Sequence, residues 1–273
     1  MTEQRSAARR GVRRGAWLFS FEVQADARAR LFCFPHSGGG AAAFRDWSAA
    51  LQPAVDLVAV EPPGRGTRLG EPCRSDLTAM AREIAAEIAA LDDGLPFAFF
   101  GHSAGTLVAF EVTRELRRLG QALPSMMVVS AGRAPNAPAR PFLPPGISDD
   151  EIAAMVIDMG GVPQEIQHAD GLLELWVPAL RADLELLDGY VYTEEDPLPV
   201  PIVLFAGMLD DVVEFEAMEP WADLTSAGTS LAMFPGDHFY LAKESKQQVL
   251  ASLARHLSSL PAKSAATWNK GTS

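Results

Sequence analysis

The sequence predicts an α/β fold: a mostly parallel central sheet with helices on both faces and a helical segment inserted late in the chain. Three observations predict it. Short, wholly apolar runs at 31–34, 97–100 and 202–206 alternate with stretches of helical periodicity, the pattern of strands buried on both faces. A chain of 273 residues with 48% hydrophobic content is long and apolar enough for one substantial core. Finally, about 70 residues separate the strand-like runs at 126–130 and 202–206, far more than a simple crossover needs.

In chain order, strands are expected at 31–34 and 57–60. A helix follows over 75–91, where Leu77, Met80, Ile84 and Ile88 recur every three or four residues and Ser75 or Asp76 can cap the start. Residues 97–100 read as a strand and 104–119 as a helix ended by Gly120. Further strands are expected at 126–130, 202–206 and 230–234, with a closing helix at 241–257. Prolines bracket the insertion: Pro135, Pro138, Pro141, Pro144 and Pro145 before it, Pro197, Pro199 and Pro201 after it. Inside lie two helical patterns, around 148–159 and 170–190. The second carries a stripe of Leu172, Trp176, Leu180, Leu184 and Leu187, which suits either a lid over a site or a packed subdomain. The expected organisation is a disordered Arg-rich tail over 1–16, one domain over 17–260 with the insertion at about 147–196, and a flexible tail over 261–273.

Net charge is -12, with a pI near 4.9, which argues against a nucleic-acid partner because phosphate binding needs a basic face. The first residues run against that trend, with Arg5, Arg9, Arg10, Arg13 and Arg14 facing only Glu3. The apolar run behind them, 16–21, is short for an export-signal core and stops at Glu22. No apolar stretch approaches the roughly 20 residues needed to span a bilayer, so no membrane partner is expected. Cys33 and Cys73 make neither a disulfide framework nor a zinc site, and Cys33 reads as a small buried hydrophobe. A reduced, cytoplasmic protein is the expectation.

The chemistry concentrates at strand ends. Gly101-His102-Ser103-Ala104-Gly105 follows a strand and opens a helix, the context in which G-x-S-x-G forms a nucleophile elbow. A serine hydroxyl needs a base to take its proton, and an imidazole is neutral and ready near pH 7. Of five histidines, His238 alone stands in a loop directly after the last strand, within Pro235-Gly236-Asp237-His238-Phe239. A carboxylate that orients this base belongs after the penultimate strand; Asp210 is preferred, with its neighbour Asp211 as the alternative. The negative charge of a tetrahedral intermediate needs two backbone N–H donors. Ala104, next after the nucleophile, supplies one. Ser37, in the loop His36-Ser37-Gly38-Gly39-Gly40 after the first strand, is the candidate for the other, although a glycine-rich loop by itself could bind a phosphate instead. These parts predict a serine hydrolase of the α/β-hydrolase fold.

Together they resemble the type II thioesterases that accompany polyketide and non-ribosomal peptide synthases, over about residues 30–257. Five segments carry the resemblance: Phe32-Cys33-Phe34-Pro35-His36-Ser37-Gly38-Gly39, Pro62-Pro63-Gly64-Arg65-Gly66, Phe99-Phe100-Gly101-His102-Ser103-Ala104-Gly105, Leu180-Arg181-Ala182-Asp183 and Gly236-Asp237-His238-Phe239. Ser37 stands where alanine is common in the family, and Ala104 where methionine is common. Neither exchange removes a backbone N–H.

The resemblance implies hydrolysis of acyl groups from the phosphopantetheine arm of acyl or peptidyl carrier proteins, clearing stalled or wrong groups. It implies no cofactor or metal of the enzyme's own, since the arm arrives with the substrate. His36, Met155, Met159, Leu173 and Trp176 are candidates to line the acyl pocket under a mobile lid, or else they pack on the core. Arg133 and Arg140 precede the lid, where they face the carrier or the arm's phosphate, or merely solvent. Two other readings stay open from residues alone: a broad carboxylesterase of small soluble esters, and a non-catalytic binding protein on a hydrolase scaffold.

Overall fold

In the computed structural model, residues 11–138, 140–162 and 171–261 are described. The chain opens with two strands that its pattern did not reveal, β1 (Val12–Arg13) and β2 (Leu18–Ser20). They pair antiparallel with each other, and β2 pairs antiparallel with β4 (Val55–Val60), Leu18 opposite Val60. The expected disordered tail over 1–16 therefore does not hold for residues 11–16; residues 1–10 and 262–273 lie outside the described residues. The physical reason is long-range. Asp56 is buried in β4 and requires compensating cations, which Arg14 supplies at 3.2 Å and Arg30 at 2.9 Å. Glu87 accepts the Ala16 and Trp17 N–H groups at 2.7 and 2.9 Å. The short apolar run at 16–21 is thus part of the sheet, where β2 lies between β1 and β4.

The remaining strands are β3 (Ala29–Phe34), β5 (Phe97–His102), β6 (Met127–Ser130), β7 (Ile202–Gly207) and β8 (Thr229–Phe234). The eight-stranded sheet runs β1-β2-β4-β3-β5-β6-β7-β8, parallel from β4 onward. Every residue of β3 to β6 is buried, so their apolar residues show no alternation, with Arg30 and Asp56 as the buried charges of β3 and β4. Their side chains still divide between two layers. Phe97 and Phe99 pack toward α2 (Leu77–Ala90) and α3 (Ala104–Arg118), whereas Ala98 and Phe100 pack toward α1 (Arg45–Leu51) and α6 (Lys246–Ser258). Asp76 caps α2 by accepting the Ala79 N–H at 3.0 Å. The last helix starts later than its periodicity suggests, because Tyr240–Ala242 forms a separate tight turn behind the β8 loop.

The insertion holds α4 (Asp149–Asp158), opened by a Ser148–Glu151 capping box, and α5 (Leu172–Asp188). Ile152, Val156, Val162, Leu180 and Leu184 form a small apolar core of their own between them. Arg181 of α5 ties the pair by bonding Asp149 at 2.6 Å and the Ile147 carbonyl at 2.9 Å. His168 lies outside the described residues. Among those described, no helix is long and apolar enough to cross a membrane.

Candidate active site

The turn from β5 into α3 forces Ser103 to φ 52°, ψ −122°, a conformation that costs a side-chain-bearing residue about 1–3 kcal/mol. The flanking glycines make room for it. A Cβ on Gly101 would lie 2.6 Å from the Gly105 carbonyl oxygen, and one on Gly105 would lie 2.2 Å from that of Phe34. The Ser103 N–H is held by the Ser130 carbonyl at 2.9 Å, and its carbonyl accepts the Thr106 hydroxyl at 2.7 Å. Ser103 thus stands proud at the carboxyl edge of the sheet, at the N-terminus of α3.

The β7 and β8 loops are knit together by backbone. Met208 N–H donates to Phe234 O at 2.8 Å and Leu209 N–H to Gly236 O at 2.9 Å. This registration brings Asp210 to His238: Nδ1 of the imidazole lies 2.9 Å from Asp210 Oδ2. The other carboxylate oxygen accepts the Val212 and Val213 N–H groups at 3.0 and 2.9 Å. Both side chains are buried, at 5% and 3% exposure, whereas Asp211 is exposed. The geometry selects Asp210 over its neighbour.

No hydrogen bond joins Ser103 Oγ to His238; nucleophile–base contacts of this kind often tighten only when substrate binds. The ring of His102, next to Ser103 in the chain, packs against that of His238 with centroids 5.2 Å apart, which brings the β8 loop to the β5–α3 turn.

Three histidines cluster at this edge. His36 packs between His102 and Phe239, at 5.9 and 5.3 Å, rather than along the cavity beside Ser103. Burial first, and then the neighbouring His238 and Arg65, lowers its pKa to about 4. Burial first, and then its histidine neighbours, pushes His102 well below the usual imidazole range. Two of the three rings are therefore neutral near pH 7. The sequence reading missed what His102 touches: Nδ1 lies 3.0 Å from Ser130 Oγ, which lies 2.5 Å from the Tyr240 hydroxyl. This hydrogen-bonded chain ties the end of β5 to the loop after β8. Its only sequence trace is that Tyr240 sits two residues beyond His238.

The Ala104 N–H begins α3 and has no intrahelical acceptor. The Ser37 N–H likewise bonds no acceptor among the described residues. Both donors suggested by the sequence are thus unused. The loop bearing Ser37 is held from the lid helix: Gly38 N–H donates to Asp183 Oδ2 at 2.7 Å, and Trp176 Nε1–H donates to Gly38 O at 2.8 Å. Arg65 grips Asp183 with two nitrogens, one at 3.0 Å, and donates to Gly39 O at 3.1 Å. The P-G-R and L-R-A-D segments are thereby explained: their charged ends meet 118 residues apart.

A cavity of about 340 Å³ opens at Ser103. Its walls are Leu107 and Val213 with the loop at 131–142 and, beyond α5, Tyr190 and Tyr192. Arg133 and Arg140 both lie along it. Met155, Met159, Leu173 and Trp176 do not: all four pack on the lid's own small core, and Trp176 also braces Gly38. Of the apolar stripe of α5, Trp176, Leu180 and Leu184 close the lid onto itself and the glycine loop, whereas Leu187 lines the cavity with Tyr190 and Tyr192, and Leu172 is exposed.

A family model described as a thioesterase domain matches residues 29–259. Gramicidin S biosynthesis protein GrsT of Aneurinibacillus migulanus is 32% identical over 241 residues, covering 88% of this chain and 93% of that protein. RedJ, a thioesterase from the prodiginine biosynthetic pathway in Streptomyces coelicolor, superposes with a TM-score of 0.78 at 32% identity, over 85% of this chain and 91% of that one. BorB, the type II thioesterase from the borrelidin biosynthetic cluster, gives 0.79 at 30% identity, over 88% and 97%. With the sheet, the elbow and the Asp210–His238 pair already described, these matches decide the assignment: the chain belongs to the thioesterase domain family.

Proposed function

We propose that this thioesterase is a type II enzyme that removes acyl groups from the phosphopantetheine arm of acyl or peptidyl carrier domains, clearing blocked or wrong groups from a polyketide or non-ribosomal peptide synthase. The observation that carries the reading is the buried Asp210–His238 pair beside the strained Ser103 elbow. The biosynthetic context of GrsT, RedJ and BorB supports the carrier-bound substrate.

In this reading His238 takes the Ser103 proton as the hydroxyl attacks the thioester carbonyl. The Ser37 and Ala104 N–H groups receive the charge that develops on oxygen. The imidazolium, stabilised by Asp210, returns its proton to the departing thiol, leaving an acyl-serine. Water, deprotonated by the same imidazole, attacks that ester and releases the acid with free Ser103. No metal or cofactor takes part; phosphopantetheine belongs to the substrate. The acyl group occupies the cavity walled by Leu107, Val213, Tyr190 and Tyr192. The chain's net charge of -12 gives an acidic carrier no long-range attraction, so docking rests on short contacts.

The test compares acyl-carrier protein, free acyl thioesters and simple esters as substrates, with Ser103→Ala as the control. The proposal expects the carrier-bound thioester to give the highest kcat/KM and Ser103→Ala to lose several powers of ten in turnover. Equal turnover of small esters points instead to a general esterase. Near-full activity in Ser103→Ala removes the mechanism.

A further inference from the structure

The loop that presents the Ser37 N–H is set by the lid helix, not by the sheet. We propose that Asp183, together with Trp176, is a positioning residue for the oxyanion site: the two side chains fix both peptides around Gly38, and this aims the Ser37 N–H at the reacting carbonyl. The proposal rests on the oxyanion role given above to Ser37 and Ala104.

The geometry runs through three peptide planes. Asp183 accepts the Gly38 N–H at 2.7 Å, which fixes the 37–38 peptide. Trp176 donates to Gly38 O at 2.8 Å, which fixes the 38–39 peptide. Between them Gly38 takes φ +73°, and a Cβ there would sit 2.6 Å from the Trp176 ring. That turn brings the Gly39 N–H to 2.9 Å from His36 O. The His36 carbonyl and the Ser37 N–H share one rigid plane, so holding the first orients the second.

The choice of a carboxylate needs explaining, since bare negative charge near a developing oxyanion would oppose it. Arg65 removes the difficulty. It is buried, as is Asp183, and its fork engages both carboxylate oxygens while also binding Gly39 O. The pair presents a strong acceptor to Gly38 with no net charge. Asp183 lies in α5 and Arg65 in the turn after β4, so the loop is clamped between two elements far apart in the chain.

The experiment measures kcat, KM and the affinity of a trifluoromethyl ketone, a mimic of the tetrahedral adduct, for the full chain and for Asp183→Asn and Trp176→Phe. Asparagine keeps the size but sets an N–H against the Arg65 fork; phenylalanine keeps a ring but loses the donor. Both variants should lose about 10- to 100-fold in kcat, less than the about 10²–10³-fold that follows deletion of an oxyanion donor, with KM changed less than about threefold. Ketone affinity should fall in parallel with kcat, a readout that general loosening of the fold would not track. Thermal melts identify any variant that fails to fold, and the other then decides. Unchanged kcat and ketone affinity in the folded variants overturn the proposal. If the unaltered chain itself binds the ketone no tighter than the matching unreactive amide, the oxyanion reading fails instead.

Discussion

Replacing Asp210 by asparagine tests the proposed triad most sharply, because the structure dictates which way the new amide must face. Asp210 Oδ1 accepts two backbone N–H groups, from Val212 and Val213, at 3.0 and 2.9 Å. An asparagine can satisfy both only by putting its carbonyl oxygen there. Its NH₂ must then occupy the Oδ2 position, 2.9 Å from His238 Nδ1. Two donors cannot face each other, so the imidazole moves its proton to Nε2 and presents an acceptor at Nδ1. The nitrogen nearest the nucleophile is then protonated and cannot act as base. The expected loss in kcat is on the order of 10⁴-fold, or about 5 kcal/mol of barrier, with little change in fold because every backbone bond survives. The assay is thiol release from an acyl thioester, read with a thiol-reactive dye, beside a thermal melt. Asp211→Asn is the internal control; that side chain is exposed and should leave kcat within about twofold. A folded Asp210→Asn enzyme within tenfold of the unaltered one, or a larger loss from Asp211→Asn, would refute the reasoning.

Two other outcomes follow from the packing. Gly105→Ala should destabilise by more than about 3 kcal/mol, since the new methyl would meet Phe34 O at 2.2 Å and neither backbone segment can yield; a melt within a few degrees of the original would contradict the elbow geometry. Acid should weaken the fold through His36: the unfolded imidazole takes up a proton near pH 6.5, the folded one only at about 4. The stability this depressed pKa contributes is therefore full above about pH 6.5, falls as pH drops toward 4, and amounts to at most about 3 kcal/mol. Melts between pH 7 and 4.5 should show a shallower decline for His36→Gln than for the unaltered chain, and identical slopes would count against it.

Local patterns carried most of this molecule's plan. Strands buried on both faces announce themselves as unbroken apolar runs, because nothing on either side of them is wet. The elbow declares itself because a sharp strand-to-helix turn tolerates only small neighbours, and the loop bearing His238 after the last strand could be read from chain order. Tertiary structure decided whatever depends on a distant partner. Asp210 and Asp211 are chemically identical neighbours until the β7 and β8 loops are registered and one carboxylate meets the imidazole. Arg14 looks like solvated charge until Asp56, 42 residues away, is found buried against it. The apolar side chains of the lid look the same whether they face substrate or one another; only assembly shows Met155, Met159 and Leu173 turned onto the lid's own core and the Ser103 cavity walled by others. Hydrophobicity encodes that a residue is buried, whereas what it is buried against is settled by the meeting of segments far apart in the chain.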